Sequence, residues 1–316
     1  MKTIAPIEYM AHVWKAAGEE GAYPLNPARG NEIEKGISDA AETINLIIPE
    51  LTIIDEEPSL LMTGTYPGRK IDDIPEIQAE LDAAGSVAAF LNARAKAHNT
   101  KFLRIGDYTD IAQSGFGTRR HGLFAFDPYY LAGGDTKGGH FVMGSMEAWP
   151  VNVQWNTAND NNGTSSQQFP YLNSNLHKYE LQTVLPSYPV EWQNVMLSNQ
   201  VLLEKRYSAS GKLTASNGWD WADLGKIWSP SETEVYGQCV WGTPGYSVGY
   251  DCQFPFFRQT HNRIMRHSGN RAHWWLRSVH GASSAYACIV DSTGSASSYS
   301  ASDAGIRCLP CFLVGA

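Results

Sequence analysis

The sequence predicts a protein of the α+β class, with a small, mainly helical N-terminal domain over residues 1–100 and a second domain over residues 101–316. Two observations lead to this prediction. Before residue 100, apolar residues recur at the three- and four-residue spacing of amphipathic helices. After it, short apolar runs alternate with clusters of Gly, Asn, Pro and Ser, and no repeat of solenoid length occurs.

Three elements are predicted in the N-terminal domain. Isoleucines at helical spacing predict a helix over residues 30–48, which stops before Pro49. Residues 60–68 predict a strand that ends in a turn, and residues 72–97 predict a second helix that Gly85 can break. The domain is either a plain helical unit or an attachment or oligomerisation module, and the sequence does not choose between the two.

The second domain has fewer regular elements. Strands are predicted over residues 102–108 and 201–207, and a helix is predicted over residues 171–184. Near the C-terminus, the apolar segments 274–278 and 306–314 predict two strands that enclose a stretch of small and polar residues. Most of the tryptophans are expected to pack in the core or under loops.

Charge and composition exclude several classes of partner. Hydrophobic residues make up 43% of the chain and charged residues 18%, so a packed core is expected. The net charge is −8, and Lys and Arg do not cluster, so we expect no nucleic-acid partner. The N-terminus lacks the apolar run of a signal peptide, and no stretch is long enough to span a bilayer, so no membrane insertion is expected.

The cysteines and histidines predict neither a metal site nor a cofactor. Five cysteines cannot all pair within one chain, and free, mostly buried thiols are expected. Cys308 and Cys311 form a C-x-x-C pair, but too few residues follow it for the helix of a redox motif, and no second pair completes a zinc site. The nine histidines lack metal-ligand spacing. We therefore expect a protein that is not an enzyme.

The segment 278–305 has the composition of a binding surface. It is rich in Ser, Ala and Gly and carries Tyr286 and Tyr299, residue types that binding loops use for rigid contact area and adaptable hydrogen bonds. From Ser278 to the end, Lys, Glu, Gln, Met and Trp are missing. These five amino acids cannot be reached when the first two bases of an Asn codon are randomised.

This C-terminal segment resembles the variable region of diversity-generating retroelement variable proteins. The similarity lies in Trp274–Ser278, in Gly294, Ala296 and Ala301, which hold the frame, and in the closing residues 305–312. Looser similarity extends upstream through the segments 191–195, 218–225 and 230–237. A departure is the Cys308-Leu309 pair before Pro310, which leaves the pairing of the final strand open.

The resemblance implies a C-type-lectin-like fold of the formylglycine-generating-enzyme-like subtype, with the variable positions on an exposed patch. The implied ligand-binding residues are Tyr286, Ile289, Asp291, Ser292, Thr293, Ser295, Ser297, Ser298, Tyr299, Ser300, Ser302 and Asp303. A second, upstream group consists of His280, Ala282, Ser284, Ala285 and Ala287.

The function that the resemblance implies is ligand or receptor binding through a hypervariable surface, as in phage receptor-binding and bacterial surface adhesion proteins. The expected partner is a protein or glycan on a cell surface, and the expected location is a virion or a cell surface, where a homo-oligomer would raise avidity. Two alternatives stay open, a thiol oxidase of the formylglycine-generating type and an inert structural subunit of a virion.

Overall fold

A computed structural model of the chain describes residues 68–129, 131–132, 138–207, 218–244 and 253–315, together with Lys35, Ile37, Asp39 and Ala40. Apart from the four residues between 35 and 40, all of them belong to one compact unit, Pro67–Ala316. The predicted helix over residues 30–48 lies largely outside the described residues, as does nearly all of the predicted strand over residues 60–68. The unit begins upstream of the domain boundary predicted near residue 100.

The α+β class is confirmed, because short helices and antiparallel sheets share this unit. The helices are α1 (Gln78–Ala84), α2 (Val87–Lys96), α3 (Pro170–Asn173), α4 (Asn175–Tyr179), α5 (Val190–Val195), α6 (Glu232–Tyr236) and α7 (Thr260–Arg263). A π-helical turn follows α4 at Glu180–Val184, and 3-10 turns lie at Ile71–Asp73, Pro75–Ile77, Leu185–Ser187 and Pro255–Arg258. None of the helices in the described part of the chain has the length and apolar character that crossing a membrane requires.

The strands within the described ranges form four antiparallel sheets. They are β1 (Tyr108–Gln113), β2 (Gly117–Phe126), β3 (Leu131–Ala132), β4 (His140–Ser145), β5 (Met196–Leu197), β6 (Asn199–Glu204), β7 (Trp219–Asp223), β8 (Arg266–His267), β9 (Asn270–Arg271), β10 (Trp274–Val279), β11 (Tyr286–Val290), β12 (Ala296–Ser300) and β13 (Cys311–Gly315). The largest sheet has the order β1-β2-β4-β13-β5. Two sheets have three strands each, β10-β11-β12 and β3-β6-β7, and β8 pairs with β9.

The predicted helix over residues 72–97 is two helices in the structure, and the break at Gly85 is confirmed. Gly85 closes α1 with a φ of 76°, a left-handed conformation that glycine adopts without strain. Ser86 then caps α2 by accepting a hydrogen bond from the Ala89 N–H. Helix α2 packs on β13 and β4, so the buried face of this helix belongs to the same core as the large sheet.

Two predictions for the second domain need correction. The strand predicted over residues 102–108 is wrong, because turns occupy this segment and Phe102 has a left-handed φ of 64°. The helix predicted over residues 171–184 is confirmed only in part. It is interrupted at Ser174, whose extended backbone ends α3 and whose hydroxyl caps α4 by accepting from the His177 N–H.

The C-terminal strands are confirmed in position, with a shorter final strand. Strand β10 spans the predicted segment 274–278, and β13 covers only the end of the predicted segment 306–314. Because β13 pairs with β4 and β5, it lies in the large sheet and not beside β10, which settles the pairing that the Cys308-Leu309 pair left open.

Tryptophans and buried charge networks fill the core. Trp149, Trp155, Trp228, Trp274 and Trp275 have no exposed surface, as predicted for core packing.

One buried network surrounds Glu180, whose carboxylate accepts hydrogen bonds of 2.5 Å from the Tyr171 and Ser229 hydroxyls. Burial raises the pKa of Glu180 from 4.5 to about 8. Such groups are stable inside a protein only when their hydrogen-bonding partners are present.

Candidate functional site: the β10–β12 sheet

The segment that sequence analysis singled out folds into the sheet β10-β11-β12. Strands β11 and β12 form an antiparallel hairpin with Tyr286 opposite Ser300 and Ala287 opposite Tyr299. Strand β12 is at the edge of this sheet. The remaining candidates lie in the turns before and after these strands, where residues 280–285, 291–295 and 301–305 connect them to the rest of the unit.

Most of the predicted binding residues have accessible side chains. Tyr286 and Tyr299 are 44% and 42% exposed, and Thr293 and Ser295 are also exposed. The half-buried candidates are Asp291, Ser292, Ser297, Ser298, Ser300, Ser302 and Asp303. In the upstream group, Ala282 is exposed, and His280, Ser284 and Ala285 are half-buried.

Ile289 and Ala287 do not belong to the accessible set. Both have no exposed surface and are part of the hydrophobic core. Their position explains this, because β11 is the central strand of the sheet and all four of its residues from 287 to 290 are buried. Ile289 and Ala287 lie on the face of β11 that carries Trp275 on the neighbouring strand, where Trp275 is paired with Ile289. Ala287 and Ile289 therefore lie in the buried centre of the sheet and cannot contact a ligand at its surface.

The two tyrosines lie on opposite faces of the hairpin. Directly paired residues of antiparallel strands share a face, so Tyr286 shares one face with Ser300, and Tyr299 shares the other with Ala287. The ring of Tyr299 is 5.8 Å from the ring of His273. The candidates therefore form two small surfaces, one around each tyrosine, and not a single patch.

Trp241 adds a fixed aromatic side chain beside Tyr286. Its ring lies 5.6 Å from the His280 ring, which in turn lies 6.2 Å from the Tyr286 ring. Trp241 is 45% exposed, in contrast to the five buried tryptophans, and sequence analysis missed it because it was expected to pack inside. The neighbouring Val240 is also apolar and 48% exposed, so nothing in the sequence of this loop marks it as exposed.

Side chains from distant parts of the chain hold the main chain of this segment. The amide of Asn161 donates to the Ser283 and Tyr286 carbonyls at 2.7 and 2.5 Å. The amide of Gln154 donates to the Ser302 carbonyl at 2.7 Å. In each case the acceptor is a backbone oxygen, which every amino acid provides, so the side chain at the acceptor position does not take part.

The same pattern holds at the other end of the hairpin. The Trp241 indole N–H donates to the Ala296 carbonyl at 3.2 Å, and the Tyr236 hydroxyl donates to the Gly294 carbonyl at 3.2 Å. Main-chain hydrogen bonds add to this support. The Asn156 N–H donates to the Ala301 carbonyl at 2.8 Å.

Buried charges fix the loop that carries Trp241. The Glu232 carboxylate accepts hydrogen bonds of 2.7 to 3.1 Å from the backbone N–H groups of residues 240–242. The guanidinium of Arg206 donates to the hydroxyl of Thr243, at the other end of this loop, at 2.5 Å, and to the His280 carbonyl at 2.7 Å. Charged groups make stronger hydrogen bonds than neutral ones, so both ends of the loop are held firmly.

A few candidate side chains do stabilise their own turns. Asp291 accepts hydrogen bonds from the Thr293 N–H and hydroxyl, both at 2.7 Å, and from the Ser295 N–H at 3.0 Å. Partial burial opposes ionisation, yet these hydrogen bonds lower the pKa of the Asp291 carboxyl. Asp303 accepts from the Gly305 N–H at 2.7 Å. Substitution at these two aspartates therefore affects the turns as well as the surface.

Three of the cysteine thiols are buried in the core. Cys288, Cys308 and Cys311 are unpaired and have no exposed surface, and burial raises the pKa of each well above its usual value. Cys239 is partly exposed, and Cys252 lies outside the described residues. Across the described ranges, His, Cys, Asp and Glu side chains do not converge in groups of three or more that could hold a metal ion.

The comparisons with known proteins add a family without a known activity. The profile of DUF6273, a domain of unknown function, matches residues 151–315. This range includes the whole β10–β12 sheet and the residues that hold its main chain. No curated protein and no solved structure matches the chain.

Proposed function

The chain belongs to the DUF6273 family, and we propose that it is a non-enzymatic binding protein whose β11–β12 hairpin and adjoining turns present changeable side chains to a ligand. The observation that carries this proposal is the pattern of hydrogen bonds just described. Framework side chains bind the carbonyl oxygens of the segment 280–302 and leave most of its own side chains outside the network.

This arrangement separates folding from recognition. Substitutions at exposed positions without structural contacts usually change stability by less than about 0.5 kcal/mol. Ser297 and Ser298 are half-buried, but they lie on an edge strand and their hydroxyls form no hydrogen bonds among the described residues, so we expect a similar tolerance there. A segment whose backbone is held from outside can therefore accept many side chains, as a hypervariable binding surface requires.

The surface also has the chemistry of recognition. Tyrosine and tryptophan provide rigid contact area with a polar tip, and interface energy concentrates in a few such residues. We expect Tyr286 and Tyr299 to be the main contacts, with Trp241 as a constant contact beside Tyr286. The serines around them supply hydrogen-bonding groups that adapt to the ligand.

The finer assignments are part of the same proposal. We propose a C-type-lectin-like fold of the formylglycine-generating-enzyme-like subtype and diversification by a retroelement. Their support is the antiparallel β10–β12 sheet, the β13 strand that returns to the large sheet, and the codon-restricted composition after Ser278. The ligand is proposed to be a protein or glycan on a cell surface, met by a virion or another cell that displays this chain.

The buried thiols favour this function over a thiol oxidase. An oxidase needs a thiolate that its substrate can reach, whereas burial keeps Cys288 and Cys308 protonated and inaccessible. The inert structural subunit is the remaining alternative, and it predicts that no ligand binds.

A binding experiment on displayed variants tests the proposal. A library randomised at Tyr286, Ser297, Ser298, Tyr299 and Ser300 would be displayed on yeast and sorted against a panel of cell-surface proteins and glycans. We expect most members to fold and some to bind. A control library randomised at the buried positions Ala287, Cys288, Ile289 and Ala301 should lose folded display.

Absence of binders from a well-folded first library would favour the inert subunit. For any binder, alanine in place of the side chains selected at positions 286 and 299 should weaken binding, whereas Val190→Ala, a change at a side chain that is 69% exposed on α5, should not.

A comparison of the coding sequence among isolates tests diversification separately. We expect substitutions in the codons for residues 274–316 to fall at the accessible candidate positions and to trace to adenines of a linked template repeat. A segment as constant as its framework would overturn the hypervariable part of the proposal and leave a fixed binding site.

A further inference from the structure

A cavity of about 50 Å³ lies against the loop that carries Trp241. It is partly open to solvent, and its wall is formed by α3, β6, β7, α6, the loop 239–243 and the end of β10. The side chains that decide its chemistry are those of Thr233, Cys239, Glu204, Arg277, Trp219 and Val279. None of the predicted ligand-binding residues lines it.

The charged groups of the cavity wall neutralise one another. The Arg277 guanidinium donates to both carboxylate oxygens of Glu234 at 2.5 and 2.6 Å. The Glu204 carboxylate accepts from Arg206 at 3.0 Å. A charged ligand would enter a buried space with no opposite charge to pair with, which is energetically unfavourable. The occupant must therefore be uncharged.

Most hydroxyl groups of the wall already have structural partners. The Ser231 hydroxyl caps α6 by accepting from the Glu234 N–H, and the Ser278 hydroxyl accepts from the Glu232 N–H at 3.0 Å. Thr243 accepts from Arg206 at 2.5 Å.

The hydroxyl of Thr233 has a weaker contact. It lies 3.8 Å from the Cys239 sulfur, and sulfur is a weak hydrogen-bonding partner. A ligand with its own donor or acceptor could replace this contact with a stronger one. Thr233 is thus the polar group of the wall that is best placed to orient a ligand.

The rest of the wall is apolar and the space is small. Pro170, Leu202, Leu203, Trp219 and Val279 contribute apolar surface. A volume of about 50 Å³ holds roughly three to five water molecules, since each needs about 10–15 Å³ by this measure. A ligand that replaces these waters has about four to six non-hydrogen atoms.

We propose that this cavity is a second binding site, which takes a small uncharged molecule with an apolar body and one hydroxyl or amide group that hydrogen-bonds to Thr233. None of the candidate ligand-binding residues lines this site, so the proposal of a second site and the proposed function are tested by different experiments. The Cys239 thiol in the wall reports on occupancy, because a bound molecule shields it.

The test measures the rate at which iodoacetamide alkylates Cys239 in the full chain, localised by tandem mass spectrometry of the digested protein. Three solutes of matched shape are compared at neutral pH, namely isobutanol, isobutylamine and isobutyrate. We expect isobutanol to slow alkylation about twofold at a concentration equal to its Kd, because half of the sites are then filled. The two charged solutes should leave the rate unchanged.

Matched variants assign the effect to Thr233. Thr233→Val keeps the shape and removes the hydroxyl, so protection by isobutanol should fall, whereas Thr157→Val, at an exposed threonine, should keep it. Saturation-transfer NMR of isobutanol on the unmodified protein provides a second measurement that needs no variant. Equal slowing by all three solutes, equal protection in the two variants, or neither slowing nor saturation transfer with isobutanol would each overturn the proposal.

Discussion

Replacement of Asn161 by leucine tests whether distant side chains hold the candidate surface through its main chain. Asn161 is fully buried, and its amide donates to the Ser283 and Tyr286 carbonyls. Its own side-chain oxygen has no hydrogen-bond partner in the structure, so the substitution removes these two donated hydrogen bonds and no others of the side chain. Leucine has nearly the same shape and leaves the packing largely intact.

The expected loss of stability follows from those two bonds. A typical hydrogen bond contributes about 1 kcal/mol, and a buried carbonyl left without a donor costs about 1–3 kcal/mol. The Tyr286 carbonyl keeps a second donor, the His280 N–H at 3.1 Å, so the larger penalty falls on Ser283. We expect a total of about 2–4 kcal/mol, or a fall in Tm of about 4–16 °C for a unit of this size.

Two measurements would report this change. Urea denaturation gives the free energy of unfolding, and hydrogen exchange of residues 280–286 shows whether the loss is local. The matched control is Asn159→Leu, because the Asn159 side chain is exposed and, among the described residues, forms one hydrogen bond, which its oxygen accepts from the Ser300 hydroxyl at 2.7 Å. It should change stability by less than about 0.5 kcal/mol.

The reasoning would be refuted if Asn161→Leu were no more destabilising than Asn159→Leu. In that case the turn would be held by contacts other than the carbonyl hydrogen bonds, and tolerance of new side chains could not be explained by them.

Two further predictions concern a buried acid and a turn glycine. Because burial raises the pKa of Glu180 from 4.5 to about 8, the folded protein keeps a proton that the unfolded chain releases between these values, and the free energy of unfolding should fall as pH rises through that range. Glu180→Gln should flatten this fall between about pH 7 and 8. The neighbouring His177 does not contribute there, because burial lowers its pKa to about 4 and it stays neutral in the folded state. An unchanged dependence of the unfolding free energy on pH, measured by urea denaturation, would contradict the assignment. Gly294→Ala should destabilise the unit by more than Gly269→Ala. Both glycines have positive φ, but an added Cβ at Gly294 would lie 3.1 Å from Ile264 and from the Thr260 carbonyl, whereas that at Gly269 meets nothing within 4 Å. Equal melting temperatures for the two variants would show that close packing at Gly294 does not matter.

Local signals predicted local features of the fold. Helical spacing and Gly85 located α1 and α2, and the apolar segment at Trp274 located β10. The prediction of a strand over residues 102–108 was wrong because it rested on apolar composition alone, and the backbone of this segment forms turns. The break at Ser174 was missed because a serine cap competes with helix continuation only through its geometry.

The candidate positions followed from the family resemblance, and most of them are accessible in the structure, but their arrangement could not be predicted. Ile289 was included because it lies within the similar segment, and only strand pairing shows that it faces the core. The supports from Asn161 and Arg206 lie far away in sequence from the carbonyls that they bind. A hydrogen bond to a backbone oxygen leaves no trace in the sequence at the acceptor, so no pattern in the segment 280–302 could reveal them.

The alternation of side chains along β12 has a genetic consequence. Ser298 and Tyr299 are encoded by adjacent codons, yet their side chains lie on opposite sides of the hairpin. A mutation in one codon alters one surface and leaves the other as it was. If the proposed function holds, a single short stretch of DNA encodes two binding surfaces that can be varied independently, and selection for a new contact on one side need not sacrifice an established contact on the other.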